Sequence, residues 1–425
     1  MSIPLDRLYQ FIENIAQEIY NDPIVIYRFY PNGSKKIEDL SAIHSEFSIA
    51  TKFSSPAMYL YDQEPLMFDF YASQNISNTY IDRLIKYQIP TRSYNIDGVY
   101  SPSSMYDKSI LLHSEQRSNN LKKYTENNFI PVYYWSHAII ALDWFRFAKY
   151  IEQKKQVEKT FLIYNRAWSG TREYRLAFVD LLIDAGLENH CQTTVNPIEP
   201  ELNIHYTQHQ FDNSAWKPSH ILENYFSIND THSHYSAVFN LEDYEATDIE
   251  VVLETLLDDD RLHLTEKSLR PIACGQPFIL ASTSGSLEYL RGYGFKTFNT
   301  VWDESYDQIA DPKERLICIA NLMQQIANWD PKIKESKISQ ARAIADHNRQ
   351  LFFSQEFFNS IINELKTNLK LGFTQLENTN TSRQWLFERT ELLKIQEYKK
   401  NRVFDDITRN ELAGVLRKAR QYRRV

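Results

Sequence analysis

The sequence predicts an α/β fold, and three observations carry that prediction. Apolar runs at residues 23–30, 57–61, 109–113, 130–134, 160–164 and 277–281 have the length and the aromatic or β-branched content of buried strands. Several of these runs give way at once to polar residues and then to apolar residues at helical spacing. Helix punctuation falls in the same rhythm: Thr265 is an N-cap residue ahead of Glu266 and Lys267, and Gly186 and Gly275 stand where helices would stop.

Taken in order, residues 1–20 alternate acids with apolar residues as an amphipathic helix does, and they lack the basic and apolar regions of a secretory leader. The runs at 23–30, 57–61, 109–113 and 130–134 read as strands, and residues 136–153 as one long helix. The Lys-rich stretch 152–159 reads as a linker between domains. A second half opens with the strand at 160–164 and a helix over 171–186, followed by a polar stretch over 188–236 that reads as irregular. Residues 237–242 then read as a buried strand and 262–264 as a short apolar run. Thr265 opens a helix that Gly275 ends, 277–281 is a strand, and a small-residue loop at 282–285 leads into a helix at Ser286. Residues 296–299 read as a strand, 312–328 and 331–370 as helices, and 382–425 as helical with basic ends. The implied domains are 1–155, 156–330 and 331–425.

Composition narrows the function classes. At 425 residues the chain has room for two to three domains, and 43% hydrophobic with 24% charged residues excludes disorder along its whole length. Only 10 glycines occur, without G-x-G-x-x-G or Walker A spacing, so a phosphate must meet side-chain cations and helix ends. The three cysteines are too scattered for a disulfide framework or a zinc site, which predicts a reduced, cytoplasmic setting. No run of about 18 apolar residues is present, so no membrane span is expected. A net charge of −8 excludes a surface that binds nucleic acid throughout. Residues 383–425, however, carry twelve Lys or Arg against six Asp or Glu, a solvated helical face or a contact for a polyanion.

Two helix starts offer free amides and the positive end of a dipole to an anion, one at Thr265–Lys267 and one at Ser284–Leu287. Lys267 adds a point charge suited to a diphosphate. Glu266 repels phosphate but accepts hydrogen bonds from hydroxyls, so the predicted ligand carries both a diphosphate and hydroxyl groups. His113 and His137 follow apolar runs and read as structural histidines. The acids at 258–260 match the D-x-D of metal-dependent transferases but sit in a polar cluster that reads as a solvated turn, and no metal site is expected.

FNLE at 239–242, followed by LTEKSLRPIACGQPFIL at 264–280, resembles the donor-binding half of the fucosyltransferase-like GT-B glycosyltransferases. That family shows an F-x-x-x-F-E-N strand, a T-E-K helix start, and a small residue with glycine before a P-x-V/I strand. The resemblance implies two Rossmann-like domains facing a cleft, a nucleotide diphosphate sugar as donor substrate, and no other cofactor. It places Asn240 or Glu242 at the donor sugar, in reversed order relative to the family, with Glu266 toward the ligand's hydroxyls and Lys267 and the helix start at Ser284 toward the diphosphate. The family's arginine in the first βα loop of the donor half corresponds to Arg166 or Arg172, with Arg166 preferred. YLYDQEPL, ILLHSEQRS and YYWSHAIIALDWFRF resemble stretches of bacteriophage glycosyltransferase-like proteins, which implies host cytoplasm as the location.

Sugar transfer to a hydroxyl needs a general base and cations for the leaving diphosphate. Glu64 is the first base candidate because it follows a buried strand in the acceptor half, Asp62 is the second, and Glu115 is a further acceptor-side candidate. The expected reaction is a metal-independent single displacement with inversion. The acceptor is a saccharide or, alternatively, a hydroxymethylated base in phage DNA, which would have to be flipped out of the duplex. A non-catalytic sugar-nucleotide or carbohydrate-binding protein is the remaining alternative.

Overall fold

A computed structural model describes residues 5–20, 25–29, 57–61, 109–119, 121–122, 125, 129–200, 202–228 and 239–380. It is a mixed α/β structure with two parallel sheets, each in its own compact unit.

One unit comprises residues 6–115, 119–134 and 363–425. Its strands are β1 (Val25–Phe29), β2 (Ala57–Tyr61), β3 (Ser109–His113) and β4 (Phe129–Tyr133), paired in that order and all parallel. Pro131 lies within β4, which is tolerable because β4 is the edge strand of this sheet among the described residues. Helix α1 (Leu5–Ile19) buries Leu8, Ile12, Ile15 and Ala16, a stripe at i, i+4, i+7 and i+8. Residues 363–380, from a helix that starts at Gln355, bury Leu365, Leu369, Phe373 and Leu376 in this unit. Phe373 stacks on Tyr20 at 4.8 Å, and Asn368 Nδ2 donates to the Tyr133 carbonyl at 3.0 Å.

Gly372 allows the close approach of that helix to β4. A Cβ at this position would stand 2.5 Å from Val132 Cγ2, a branched side chain on a strand with little room to yield. Gly372→Ala is expected to cost about 1–3 kcal/mol in urea unfolding. Gly292→Ala, where a Cβ meets nothing within 4 Å, is the control and should be neutral or slightly stabilising.

The other unit comprises residues 1–5, 116–118 and 135–362. After α2 (Ser136–Trp144) come β5 (Lys159–Ile163), α3 (Tyr174–Asp184), β6 (Cys191–Val195) and β7 (Ser227–Ile228). Then follow α4 (Leu241–Glu245), β8 (Thr247–Leu253), α5 (Glu266–Cys274), β9 (Phe278–Ala281), α6 (Ser286–Gly292), α7 (Pro312–Ala327) and α8 (Pro331–Phe352). The first two turns of α9 (Gln355–Asn380) complete the unit. The five strands are parallel in the order β7-β6-β5-β8-β9. Crossovers between parallel strands are right-handed, and β5-α3-β6 and β8-α5-β9 run in opposite directions, so α3 and α5 cover opposite faces.

Several sequence expectations are corrected. Residues 239–242 form no strand: the Asn240 side chain accepts the Glu242 amide at 3.3 Å and caps the short helix α4. The strand before the T-E-K helix is β8, all seven of whose residues are buried. The stretch 188–236, expected to be irregular, supplies β6 and β7. Residues 296–299 are not a strand, because the amide and carbonyl of Lys296 bond the Asn348 side chain at 2.8 Å each instead of a ladder. The helix expected over 136–153 ends at Trp144, and Arg349 Nη2 takes the carbonyls of Ala148 and Ile151. The helix expected over 331–370 breaks at Phe353, where Ser354 Oγ accepts the Phe357 amide and starts α9. The basic segment 382–425 lies outside the described residues.

Candidate functional site

The strand order reverses at β5: the chain builds outward through β6 and β7, then returns to the other side for β8 and β9. In open parallel sheets, ligands sit beyond the carboxyl ends of the strands at such a reversal. The pairing Leu162↔Glu250, carried forward, sets Asn165 level with Leu253. The loop after β5 therefore lies beside the loop after β8.

A buried arginine ties these loops together. Arg175, in the first turn of α3, donates to the carbonyls of Ala167 at 2.7 Å, Leu253 at 2.8 Å and Glu254 at 3.0 Å. Burial lowers its pKa below the ordinary guanidinium value. The Tyr174 hydroxyl adds a 2.6 Å bond to the Glu254 carbonyl. On the β5 side, Glu199 Oε2 accepts the amides of Trp168 and Ser169 at 2.7 and 3.1 Å. Both rims of the reversal are thus fixed by buried polar contacts, each desolvated and costly to break.

The start of α5 is built on Glu254, which is fully buried at the end of β8. Glu254 Oε1 accepts the amides of Thr265 and Ser268 at 3.0 and 3.1 Å together with the Ser268 hydroxyl. Its Oε2 accepts the Thr265 hydroxyl at 2.7 Å and the Thr255 amide at 3.1 Å. Thr265 Oγ1 in turn accepts the Lys267 amide at 3.3 Å, so Thr265 is the N-cap the sequence indicated. Most amides expected to await a phosphate at this helix start already have a carboxylate or hydroxyl partner. The positive charge at this helix start is the Lys267 ammonium, whose Nζ donates to Glu266 Oε1 at 2.8 Å, Thr265 Oγ1 at 3.2 Å and Thr255 Oγ1 at 3.4 Å, so an anion would have to exchange for one of these partners.

Glu266 is buried. Its Oε2 lies 3.4 Å from Nε2 of His137, which also sits edge-on to His263 at 5.1 Å. Burial drives the His137 pKa down to about 3, against the pull of the Glu266 charge, so a neutral imidazole meets the carboxylate. His137, set aside in the sequence as structural, thus orients a residue of the candidate site. Nothing local in YYWSH signals a partner 129 positions away.

The candidates divide by location. Arg166, Glu266, Lys267 and Ser284 all follow strands β5, β8 and β9 at their carboxyl ends. The Arg166 guanidinium makes no ion pair or hydrogen bond among the described residues, whereas Arg172 is tied back to the Ser169 carbonyl at 3.2 Å. The Ser284 carbonyl accepts from Arg117 at 2.6 Å, and the Leu287 amide beyond it already donates to Asp307. Asn240 and Glu242 precede β8; the Asn240 amide donates to the hydroxyl of Tyr164, the first residue past β5, at 3.3 Å, while the Ala246 carbonyl accepts the amides of Glu158 and Lys159 at the amino end of β5. Glu254 and Thr255 occupy the strand end ahead of T-E-K that the sequence had given to Asn240 and Glu242. Glu115 is buried at the end of β3 in the other unit, its amide donating to His113 Nδ1 at 3.2 Å. Asp62 and Glu64 lie outside the described residues.

Among the described residues no group of three or more His, Cys, Asp or Glu side chains is placed to hold a metal ion. In the 258–260 cluster, Asp259 pairs with Arg261 and Asp258 accepts from Asn213 at 3.0 Å. His205, His209 and His220 each lie against a carboxylate, Glu223, Glu173 and Asp180 respectively. No described helix is long and apolar enough to cross a membrane. Searches against protein-family models and curated proteins find no match to the chain.

Proposed function

We propose that the chain is a glycosyltransferase with a GT-B-like arrangement of two Rossmann-like domains, taking a sugar from a nucleotide diphosphate sugar. One observation carries this reading: Arg166 and Lys267, the two cations expected at the diphosphate, follow β5 and β8, the strands that flank the reversal of the second sheet. A crevice there meets a diphosphate with two charges from opposite rims, and charge-assisted contacts of that kind stabilise a leaving group as its charge develops. The stretch 264–280, with its T-E-K helix start, helix-ending glycine and following strand, supports the same reading through its likeness to fucosyltransferase-like enzymes.

In the proposed reaction the acceptor hydroxyl attacks the anomeric carbon on the face opposite the diphosphate, and the C–O bond to the diphosphate breaks with inversion. Glu64 takes the acceptor proton. Arg166 and Lys267 hold the departing diphosphate, and no metal takes part. The acceptor is a saccharide, in keeping with the negative net charge.

Arg166→Ala and Lys267→Ala are each expected to weaken nucleoside diphosphate binding by roughly 10- to 100-fold, the worth of one charge-assisted contact. Arg166→Ala should leave the melting temperature unchanged, since the side chain is half-buried and has no partner among the described residues. Titration calorimetry with the tightest-binding nucleoside diphosphate, and nucleotide release in the presence of saccharide acceptors, test the reading. Full affinity in both variants would remove the diphosphate from this crevice.

A further inference from the structure

Asn165, the second residue beyond β5, sits in an unusual environment. It is 4% exposed, and among the described residues neither its Oδ1 nor its Nδ2 has a hydrogen-bond partner. Buried amides are normally satisfied, and leaving both halves of one carboxamide unmet costs free energy that packing alone does not explain. The residue stands at the reversal of the sheet, level with the end of β8 and beside Arg166, whose side chain is without a partner among the described residues. The loop that carries it cannot easily turn to find partners, because Arg175 and Glu199 fix its backbone at Ala167, Trp168 and Ser169.

We infer that Asn165 is a binding residue of the nucleotide-sugar site and that it reads the nucleoside rather than the diphosphate. This rests on the donor site proposed above. The chemistry of the carboxamide decides the class of group it takes. A diphosphate presents acceptors only, so it would satisfy Nδ2 and leave Oδ1 unmet. A nucleobase edge or a ribose hydroxyl presents donor and acceptor together and satisfies both halves. Arg166, next in the chain, takes the diphosphate, so two successive residues divide the ligand between them.

The test is titration calorimetry with two probes, inorganic diphosphate and the tightest binder from a panel of uridine, guanosine, adenosine, cytidine and thymidine diphosphates. Asn165→Ala should weaken the nucleoside diphosphate by roughly 10- to 100-fold and leave inorganic diphosphate unchanged, since two hydrogen bonds are lost at the nucleoside end alone. Asn165→Leu keeps the volume and loses both donor and acceptor without adding charge, and should show the same split should the alanine variant fold poorly. Unchanged nucleoside diphosphate affinity with a lowered melting temperature would assign the carboxamide to a buried water and overturn the inference. Equal weakening of both probes would overturn it as well, by making the loop rather than the carboxamide responsible. Wild-type protein that binds none of the panel would overturn the donor site itself, and this inference with it.

Discussion

Glu250→Ala is expected to destabilise the second unit by about 3–5 kcal/mol, the usual cost of leaving a buried charge without its partner. Glu250 is fully buried in β8 and pairs with Arg270 of α5, whose Nε lies 3.2 Å from Glu250 Oε1; the Tyr244 hydroxyl donates to the other oxygen. Burial works against the Arg270 charge, but the Glu250 carboxylate, with Tyr244 and Tyr164 nearby, holds its pKa above the ordinary value. Removing the acid leaves the guanidinium, 5% exposed, with its desolvation uncompensated. The triple variant Tyr244→Phe, Glu250→Leu, Arg270→Met should recover most of the loss, because it leaves neither a buried charge nor the buried Tyr244 hydroxyl without compensation. Tryptophan fluorescence in urea reports on this unit directly, since six of the seven tryptophans lie between residues 135 and 329. A single variant as stable as wild type would show that the pair contributes nothing.

Glu254→Ala should be as damaging, about 3–5 kcal/mol, and should also weaken nucleoside diphosphate binding. The carboxylate gathers the amides of Thr255, Thr265 and Ser268 and two hydroxyls, and each buried donor left unmet costs about 1–3 kcal/mol before rearrangement. Glu254→Gln keeps one acceptor but points an amide donor into a ring of donors, so a smaller loss of about 1–3 kcal/mol is expected. Because the same contacts seat Thr265 and Lys267, a variant that still folds should bind nucleoside diphosphate about 10-fold more weakly. Calorimetry on the glutamine variant separates the two effects. Wild-type affinity there would mean that Lys267 needs no help from Glu254.

The contrast between β8 and its neighbours explains what the sequence could and could not disclose. Runs such as 160–164 and 277–281 are continuously apolar and bounded by polar residues, so local pattern suffices for β5 and β9. Thr265 and Gly275 carry their conformations in their own chemistry, and Gly275 adopts φ 67° at the end of α5 as a helix-stopping glycine does. β8 contains Asp248 and Glu250, which resemble solvated acids until Arg342, Lys334 and Arg270 arrive from α8 and α5. The pattern therefore points to 237–242 as the strand ahead of T-E-K, whereas the strand is β8 and the residues at its end are Glu254 and Thr255. The 152–159 stretch hid a similar long-range contact: Lys155 Nζ bonds Thr247 O and Gln276 Oε1 at 2.9 and 2.6 Å, and burial lowers its pKa to about 8. His137 and Asn165 were equally invisible, since a residue's partner, or its lack of one, is a tertiary property.

The central claim, a nucleotide diphosphate sugar held at the reversal of the second sheet, is tested most directly by thermal unfolding with a panel of sugar nucleotides. A ligand bound by the native state alone raises the unfolding midpoint by mass action. At least one sugar nucleotide should raise the midpoint of the wild-type chain in a concentration-dependent way, and the same compound should leave the Arg166→Ala, Lys267→Ala double variant unmoved. A wild-type midpoint unchanged by every sugar nucleotide up to millimolar concentration, or an equal rise in the double variant, would contradict the account.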